Sequence, residues 1–200
     1  MDKYTVTLTM TEPLLGTVPK NKDVFATYIQ GKAADLGDEA AAEELATVES
    51  MEDKGWTGFH MLDGKPILYD YVIRGFFKSA CGALRRVPGT RSHKITAYKK
   101  IIDGLVFVFP RRIAIDLPDG EGLGVLERPL RAQTAQGERV ALARSDTCPV
   151  GTTITFTLEI LGSVKEADLR EWLDYGRLMG LGQWRSGGWG KFSYVMEKVG

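Results

Sequence analysis

The chain has 200 residues, and its 26 Lys and Arg balance 26 Asp and Glu, so the length fits one domain and the net charge is zero. A hydrophobic fraction of 44% excludes wholesale disorder, and two cysteines without CxxC spacing, Cys81 and Cys148, exclude a disulfide framework and a zinc site. The N-terminus lacks the apolar region of a signal peptide, and no apolar run is long enough to span a membrane. We therefore expect a soluble, cytoplasmic protein that makes no membrane contact.

The first predicted element is a strand over Tyr4–Met10, where apolar residues alternate with Lys and Thr. Residues 11–69 then form a long, irregular stretch that we interpret as an insertion into the domain. Within it the residue patterns predict two helices and one hairpin that turns at Asp63-Gly64. These elements are expected near Val24–Lys32, Glu39–Val48, and Phe59–Leu62 paired with Ile67–Tyr69.

The clearest helix is predicted from about Asp70 to Val87, ending at Pro88-Gly89. Its apolar positions recur at the spacing of a core-facing side. They are Ile73, Phe76, Phe77, Ala80, Cys81, Leu84 and Val87. Arg74, Lys78 and Arg85 fall four and seven residues apart, so they are expected to form one basic stripe along the helix.

The second half of the chain predicts several strands and one further helix. Strands are expected at Leu105–Phe109, continuing past Pro110 to Ile113 and Ile115, and at Val140–Ala143, Ile154–Ile160 and Phe192–Val199. Ser163 and Glu166 have the spacing of a capping box that opens a helix carrying Leu169, Trp172, Leu173 and Met179 on one side.

This order of elements predicts an α+β fold of the ferredoxin-like (RRM-like) βαββαβ type. In that fold an antiparallel sheet carries both helices on one face. We expect residues 1–200 to form a single domain with the insertion 11–69 after the first strand.

The balanced charge hides two opposite regions. Residues 35–53 contain eight acidic residues and no Lys or Arg. Residues 85–112 contain eight Lys and Arg and one acidic residue, Asp103. A neutral protein with such polarity can still bind a polyanion locally, because charges are screened over about 8–10 Å in physiological salt. The alternative is that both regions are simply solvated faces.

Residues 180–190 form the most unusual segment, in which five of the eleven residues are glycine. The others include Trp184, Arg185 and Trp189, and Lys191 follows. Glycine permits positive φ and close approach to a ligand, and a tryptophan face can stack a base. The segment completes neither GxGxxG nor a P-loop, and a helix leads into a strand here rather than the reverse. A tight structural turn with both tryptophans in the core is the alternative.

Two segments resemble the RAMP superfamily of CRISPR-associated RNA-binding proteins. The pattern Gly180-x-Gly182, five residues, Gly188-x-Gly190, with Leu181 and Trp189 inside the pairs, is similar to the family's C-terminal glycine-rich loop. Residues 66–85 are similar to the helix segment of its backbone subunits. The resemblance implies that loop and basic helix contact the phosphodiester backbone of a guide RNA, and that subunits stack along the RNA.

The expected partner is therefore single-stranded RNA, without a cofactor or metal, in an assembly with further copies or other RAMP-type subunits. The residues expected to contact nucleic acid lie on the helix, the following basic loop and the glycine-rich loop. They are Arg74, Lys78, Arg85, Arg86, Arg91, Lys94, Gly180, Gly182, Trp184, Arg185, Gly188, Gly190 and Lys191.

Two other functions stay open at this point. A stand-alone interaction protein, for example from a virus, would dock on a RAMP-type complex and obstruct it. A metal-free ribonuclease would use His93 as general base, whereas His60, in an apolar run, is expected to be structural. Asp23 and Asp103 are nominal candidates for the catalytic Asp that some RAMP proteins carry on a loop.

Overall fold

The computed structural model describes residues 1–32, 38–48, 55–134 and 137–199. The strands in these ranges are β1 (Asp2–Met10), β2 (Leu14–Leu15), β3 (Val18–Pro19), β4 (Trp56–Gly58), β5 (His60–Leu62), β6 (Lys65–Tyr69), β7 (Val106–Phe109), β8 (Arg112–Ala114), β9 (Gly124–Thr134), β10 (Gly137–Cys148), β11 (Thr153–Ile160) and β12 (Phe192–Lys198). The helices are α1 (Lys22–Lys32), α2 (Asp38–Ala46), α3 (Asp70–Leu84), α4 (Tyr98–Leu105) and α5 (Glu166–Met179). Within these ranges, no helix has both the length and the hydropathy needed to cross a membrane.

Four strands form the central sheet in the order β12, β1, β11, β7, and each neighbouring pair is antiparallel. The register places Val6 opposite Phe156 on one side and Met196 on the other. Alternation along β1 buries Tyr4 and every second residue after it, while the threonines between them point to the opposite face. The strands predicted at Tyr4–Met10, Ile154–Ile160 and Phe192–Val199 are confirmed.

Helices α3 and α5 pack on the buried face of this sheet and complete the main core. The rings of Phe77 and Trp172 lie 5.7 Å apart between the two helices, and Phe76 meets Phe192 edge-on at 5.4 Å. The Trp172 indole N–H donates to the Ser92 hydroxyl at 2.9 Å, so its one polar atom is satisfied in the core. The predicted α+β class is confirmed.

Strands from the insertion and from residues 112–148 together form two smaller sheets. One has the order β2, β10, β4, β3, with β9 paired to β10, and the other has the order β5, β6, β8. The predicted hairpin is confirmed: Asp63 and Gly64 both have positive φ, 49° and 74°, as a two-residue turn between twisted strands requires. Helices α1 and α2 confirm the two helices expected in this stretch.

A buried polar cluster attaches α2 to the rest of the fold. Glu44 is fully buried, where it accepts a hydrogen bond from the Tyr71 hydroxyl at 3.1 Å and pairs with Arg111 at 3.2 Å. Burial raises the pKa of the Glu44 carboxyl. His60 bonds Thr47 at 2.8 Å, and burial lowers the pKa of His60 to about 4, so the ring is neutral and structural.

These contacts show that the acidic and basic regions are not two separate, solvated faces. Glu44 is buried rather than solvated, and Glu43 pairs with Arg112 at 3.4 Å, so part of the acidic stretch neutralises the end of the basic run. Asp35, Glu49, Glu52 and Asp53 of that stretch lie outside the described residues.

Three predicted boundaries are wrong. Ile113 does not continue the strand of Phe109, because the chain crosses into another sheet and β8 pairs with β6. Helix α3 ends at Leu84, and Val87 beyond it is exposed rather than core-facing. Helix α5 begins after Lys165, whose N–H donates to Asp168 at 2.8 Å. Ser163 and Glu166 do not form the cap, since the N-cap residue is Lys165, whose backbone is extended, and its capping-box partner is Asp168.

Besides the short strands β2, β3 and β4, two longer elements were not predicted. Helix α4 is only eight residues long, so its apolar pattern covers barely two turns. Strand β9 contains Pro129, and a proline argues against a central strand. In the structure β9 is an edge strand, because among the described strands it pairs with β10 alone.

The surroundings of two helical glycines predict opposite effects of alanine substitution on stability. Gly176 lies against the Phe192 ring, and an added Cβ would overlap its carbons, so Gly176→Ala is expected to lower the free energy of unfolding by about 1–3 kcal/mol. At Gly75 in α3 no atom lies within 4 Å of the corresponding position, so Gly75→Ala is expected to raise it by about 0.5–1 kcal/mol. Urea unfolding measures both, and effects of the same sign would contradict this packing.

Candidate nucleic-acid interface

The segment from Gly180 to Lys191, here called the glycine loop, closes on itself directly after α5. Gly180 ends the helix with a φ of 78°, and the Leu181 N–H donates to the Gly190 carbonyl at 2.8 Å. The Gly190 backbone, with a φ of 72°, lies against the Leu181 carbonyl so closely that a Cβ would collide with it. Glycine is therefore required at the neck of the loop for both conformation and space.

The chain after β1 anchors the loop from a second side. The Gly190 N–H donates to the Pro13 carbonyl at 3.0 Å, and the Gln183 N–H donates to the Leu15 carbonyl at 3.3 Å. Gly182 lies against Leu15, where a Cβ would approach the Leu15 carbonyl to 2.7 Å. The loop is thus held by backbone contacts that depend on the absence of side chains.

A polar contact ties the loop to the second sheet. The Gln183 side-chain oxygen accepts hydrogen bonds from Thr57 at 2.9 Å and from Ser145 at 3.0 Å. These residues belong to β4 and β10, so the insertion and the long β9–β10 pair are both connected to the loop. The sequence places these three residues far apart and carries no motif that links them.

The tip of the loop presents Trp184 at the surface. Trp184 has a φ of 55°, rare for a bulky residue, and the N–H of Gly187 donates to its carbonyl at 2.9 Å to close a short turn. Its indole is nearly parallel to that of Trp189, with centroids 6.3 Å apart, and the residue is 40% exposed. The alternative in which both tryptophans are core residues is wrong for Trp184.

Sequence reasoning missed Arg128 as a neighbour of the loop. This residue of β9 places its guanidinium carbon 3.7 Å from the centroid of the Trp184 ring. The contact between Arg128 and Trp184 arises only from tertiary packing, so the sequence around Arg128 does not indicate it.

The structure brings the glycine loop to α3 through a hydrogen bond from Arg185 to the Ser79 hydroxyl at 3.4 Å. The basic stripe on that helix, however, is largely engaged within the chain. Arg74 pairs with Asp70 at 2.7 Å and Lys78 with Asp103, and Arg85 stacks on Tyr98 at 5.1 Å. Exposed cations that lack such partners contribute more to binding a polyanion than these do.

The remaining predicted contacts lie beyond the C-terminal end of α3. Arg91 pairs with the buried Asp168 at 2.7 Å, and Lys94 lines a cavity of about 390 Å³ with Arg91 and Asp168. Arg86 and Lys94 are exposed. The structure therefore divides the predicted residues between the glycine loop and this basic loop.

The candidates for catalysis are placed apart from one another. His93 is exposed, and its Nδ1 bonds the Arg85 carbonyl at 2.8 Å. Asp103 is the partner of Lys78, and Asp23 lies in the first turn of α1. In the described ranges, no three His, Cys, Asp or Glu side chains group as metal ligands would, and Cys81 and Cys148 are buried and unlinked.

The cations around the glycine loop differ from those of α3 in having no acidic partner. Among the residues that the structure describes, no carboxylate lies within 4.0 Å of the charged nitrogens of Arg128, Arg185 or Lys191. The Lys191 ammonium lies about 4.0 Å from the Cβ position of Gly188, close to the tip of the loop. A rigid loop surrounded by cations that have no carboxylate partner among the described residues is suited to bind a polyanion.

Comparisons with known proteins support the fold. No family model and no curated protein matches the sequence. A chain of the Type III-B Cmr-beta bound to cognate target RNA is similar in structure, with a TM-score of 0.55 and 12% identity over 99% of this chain and 60% of that chain. A chain of a Type IV-B CRISPR complex gives a TM-score of 0.46 and 12% identity over 98% and 90%.

The protein spans 60% of the length of the Cmr-beta chain that it resembles. At 12% identity this similarity shows the fold alone.

The close packing at the neck of the loop predicts a large effect for one glycine. Gly190→Ala is expected to destabilise the protein more than Gly89→Ala. Both positions have positive φ, 72° and 90°, but only at Gly190 does the added Cβ meet backbone atoms. Thermal unfolding of both variants measures the difference. Equal shifts in Tm would show that conformation alone, and not the contact with Leu181, demands glycine there.

Proposed function

We propose that this protein binds single-stranded RNA through the phosphodiester backbone, at a surface centred on the glycine loop, as one subunit of a larger ribonucleoprotein. The observation that carries the proposal is a loop held rigidly by backbone contacts that bears two cations, Arg185 and Lys191, without a carboxylate partner among the described residues. Rigid placement matters because a preorganised loop loses little conformational entropy on binding.

Phosphate contacts explain why binding would be independent of sequence. Arg185 and Lys191 offer charged N–H donors to phosphate oxygens, and such contacts position a strand without reading its bases. Each neutralised phosphate releases condensed counterions, so affinity falls steeply as salt increases. Because Arg74 and Lys78 already have acidic partners, the proposal assigns the larger share of binding to the loop.

The topology of the central sheet and the similar chain of known structure support the fold and the partners that we propose. We infer that β1, β7, β11 and β12 with α3 and α5 form a ferredoxin-like unit, since the four strands pair in the order fourth, first, third, second. Residues 1–200 would be one domain with the insertion 11–69. The similar chain of known structure comes from a Cmr-beta bound to cognate target RNA, which supports RNA and further subunits, identical or different, as partners.

A second candidate, a protein that docks on such a complex and obstructs it, is favoured by the sheet face opposite α3 and α5. Phe107 and Phe109 are exposed there at the edge of the central sheet, and Val195 is exposed on β12. Exposed apolar residues grouped on one face are typical of a protein interface. This candidate predicts a stable complex with a RAMP-type ribonucleoprotein and no affinity for free RNA.

Removing two cations from the loop tests the leading proposal. The Arg185→Gln, Lys191→Gln double variant is expected to bind a fluorescently labelled oligouridylate about tenfold or more weakly at about 100 mM salt. The slope of log affinity against log salt is expected to fall by about 1.4, because a single strand loses about 0.7 per phosphate contact. Fluorescence polarisation measures both quantities.

The matched control is Lys3→Gln with Lys198→Gln, which removes the same charge from residues paired with Glu159 and Asp2 away from the loop. Affinity and slope in the control are expected to stay close to wild type. Equal weakening in both double variants would contradict a binding surface at the loop. RNA cleavage in chelator that is lost in His93→Ala would instead support the ribonuclease.

A further inference from the structure

The stack of Arg128 on Trp184 fixes the plane of a guanidinium beside the glycine loop. The 3.7 Å separation is that of a face-to-face contact between two delocalised planar groups. Trp184 makes this contact from a left-handed backbone conformation that is unfavourable for a bulky side chain. Strain of this kind persists where the surrounding structure enforces it, and it is concentrated at ligand sites.

The Arg128 guanidinium uses only part of its hydrogen-bonding capacity within the described part of the protein. Nε and Nη1 of Arg128 are buried without a hydrogen-bond partner, although buried donors are nearly always satisfied in native proteins. The adjacent Glu127 does not supply the missing charge, because it pairs with Arg144. Burial also lowers the pKa of Arg128, as expected when nothing compensates the positive charge.

Arg128 remains available to a ligand through Nη2, which is not among its buried nitrogens, and the residue as a whole is only partly buried. A positive charge that is partly removed from water and has no internal counterion attracts an anion more strongly than a fully solvated one does. Arg185 directly follows Trp184 in the chain, and the Lys191 ammonium lies near Gly188 of the same loop, so the field of the loop favours an anion that extends beyond a single group.

We propose that Arg128 is a phosphate-binding residue of the RNA surface and that Trp184 is the positioning residue that orients its guanidinium. This assignment rests on the proposed function. A guanidinium held in one plane presents its remaining nitrogen, Nη2, to a phosphate oxygen in a fixed direction, which a flexible ammonium does not. An acidic peptide offers isolated carboxylates, whereas the regular charge of a nucleic-acid strand fits three cations around one loop.

The first arm of the test separates charge from geometry. Arg128→Gln is expected to weaken binding of a labelled oligouridylate about tenfold or more. It is also expected to lower the slope of log affinity against log salt by about 0.7. Arg128→Lys keeps the charge but not the planar group that stacks on Trp184, so it should lower affinity with the slope unchanged. Lys65→Gln, an exposed cation on the β5–β6 hairpin, is the control and should leave both quantities as in wild type.

The second arm addresses Trp184. Trp184→Leu should weaken binding without changing the salt slope, Trp184→Phe should restore most of the affinity, and adding Trp184→Leu to Arg128→Gln should cause no further loss. Additive effects would overturn the positioning role, since they mean that Trp184 contacts the strand independently. Thermal unfolding of each variant identifies any loss of fold.

The outcomes distinguish this inference from the proposal on which it rests. Wild-type protein that does not bind the oligouridylate contradicts the proposed function itself. Wild-type protein that binds, with an Arg128→Gln variant matching Lys65→Gln in affinity and slope, overturns the assignment of Arg128 alone. In that case a shift in Tm would mark the stack as a purely structural contact.

Discussion

The close approach of the glycine loop to its own neck and to the chain after β1 is the constraint on which the candidate interface depends. Leu181 and Gly190 join the two ends of the loop, and the N–H groups of Thr11 and Glu12 both donate to the Lys191 carbonyl at 2.8 and 3.2 Å. The loop is therefore continuous with the edge of the central sheet. Trp184 and Arg185 project from a base that the sheet itself holds in place.

Internal charge pairing determines where a polyanion can bind. The cations that the sequence places on one helix are mostly compensated, by Asp70 and Asp103, and the acidic insertion compensates Arg111 and Arg112 through α2. Among the described residues, cations without a carboxylate partner remain around the glycine loop and, after α3, at Arg86 and Lys94. The zero net charge is thus the sum of local pairs, unpaired positive charge at such sites and an equal negative charge elsewhere in the chain.

Local patterns predicted much of the fold, because alternation and helical spacing are direct consequences of one buried face. The strands β1 and β11, the core side of α3, the Asp63-Gly64 turn and the unusual glycine segment all follow from residues close together in the chain. Arg128 over Trp184, Gln183 between Thr57 and Ser145, and the burial of Glu44 were not predictable. Each of these contacts exists only after separate elements have packed.

The location of bound RNA tests the account most directly. A single-stranded RNA carrying 4-thiouridine can be photo-crosslinked to the full chain and the modified peptides identified by mass spectrometry. The account predicts crosslinks within residues 180–191 and in the part of β9 around Arg128. Crosslinks confined to the exposed sheet face around Phe107 and Phe109 would contradict it.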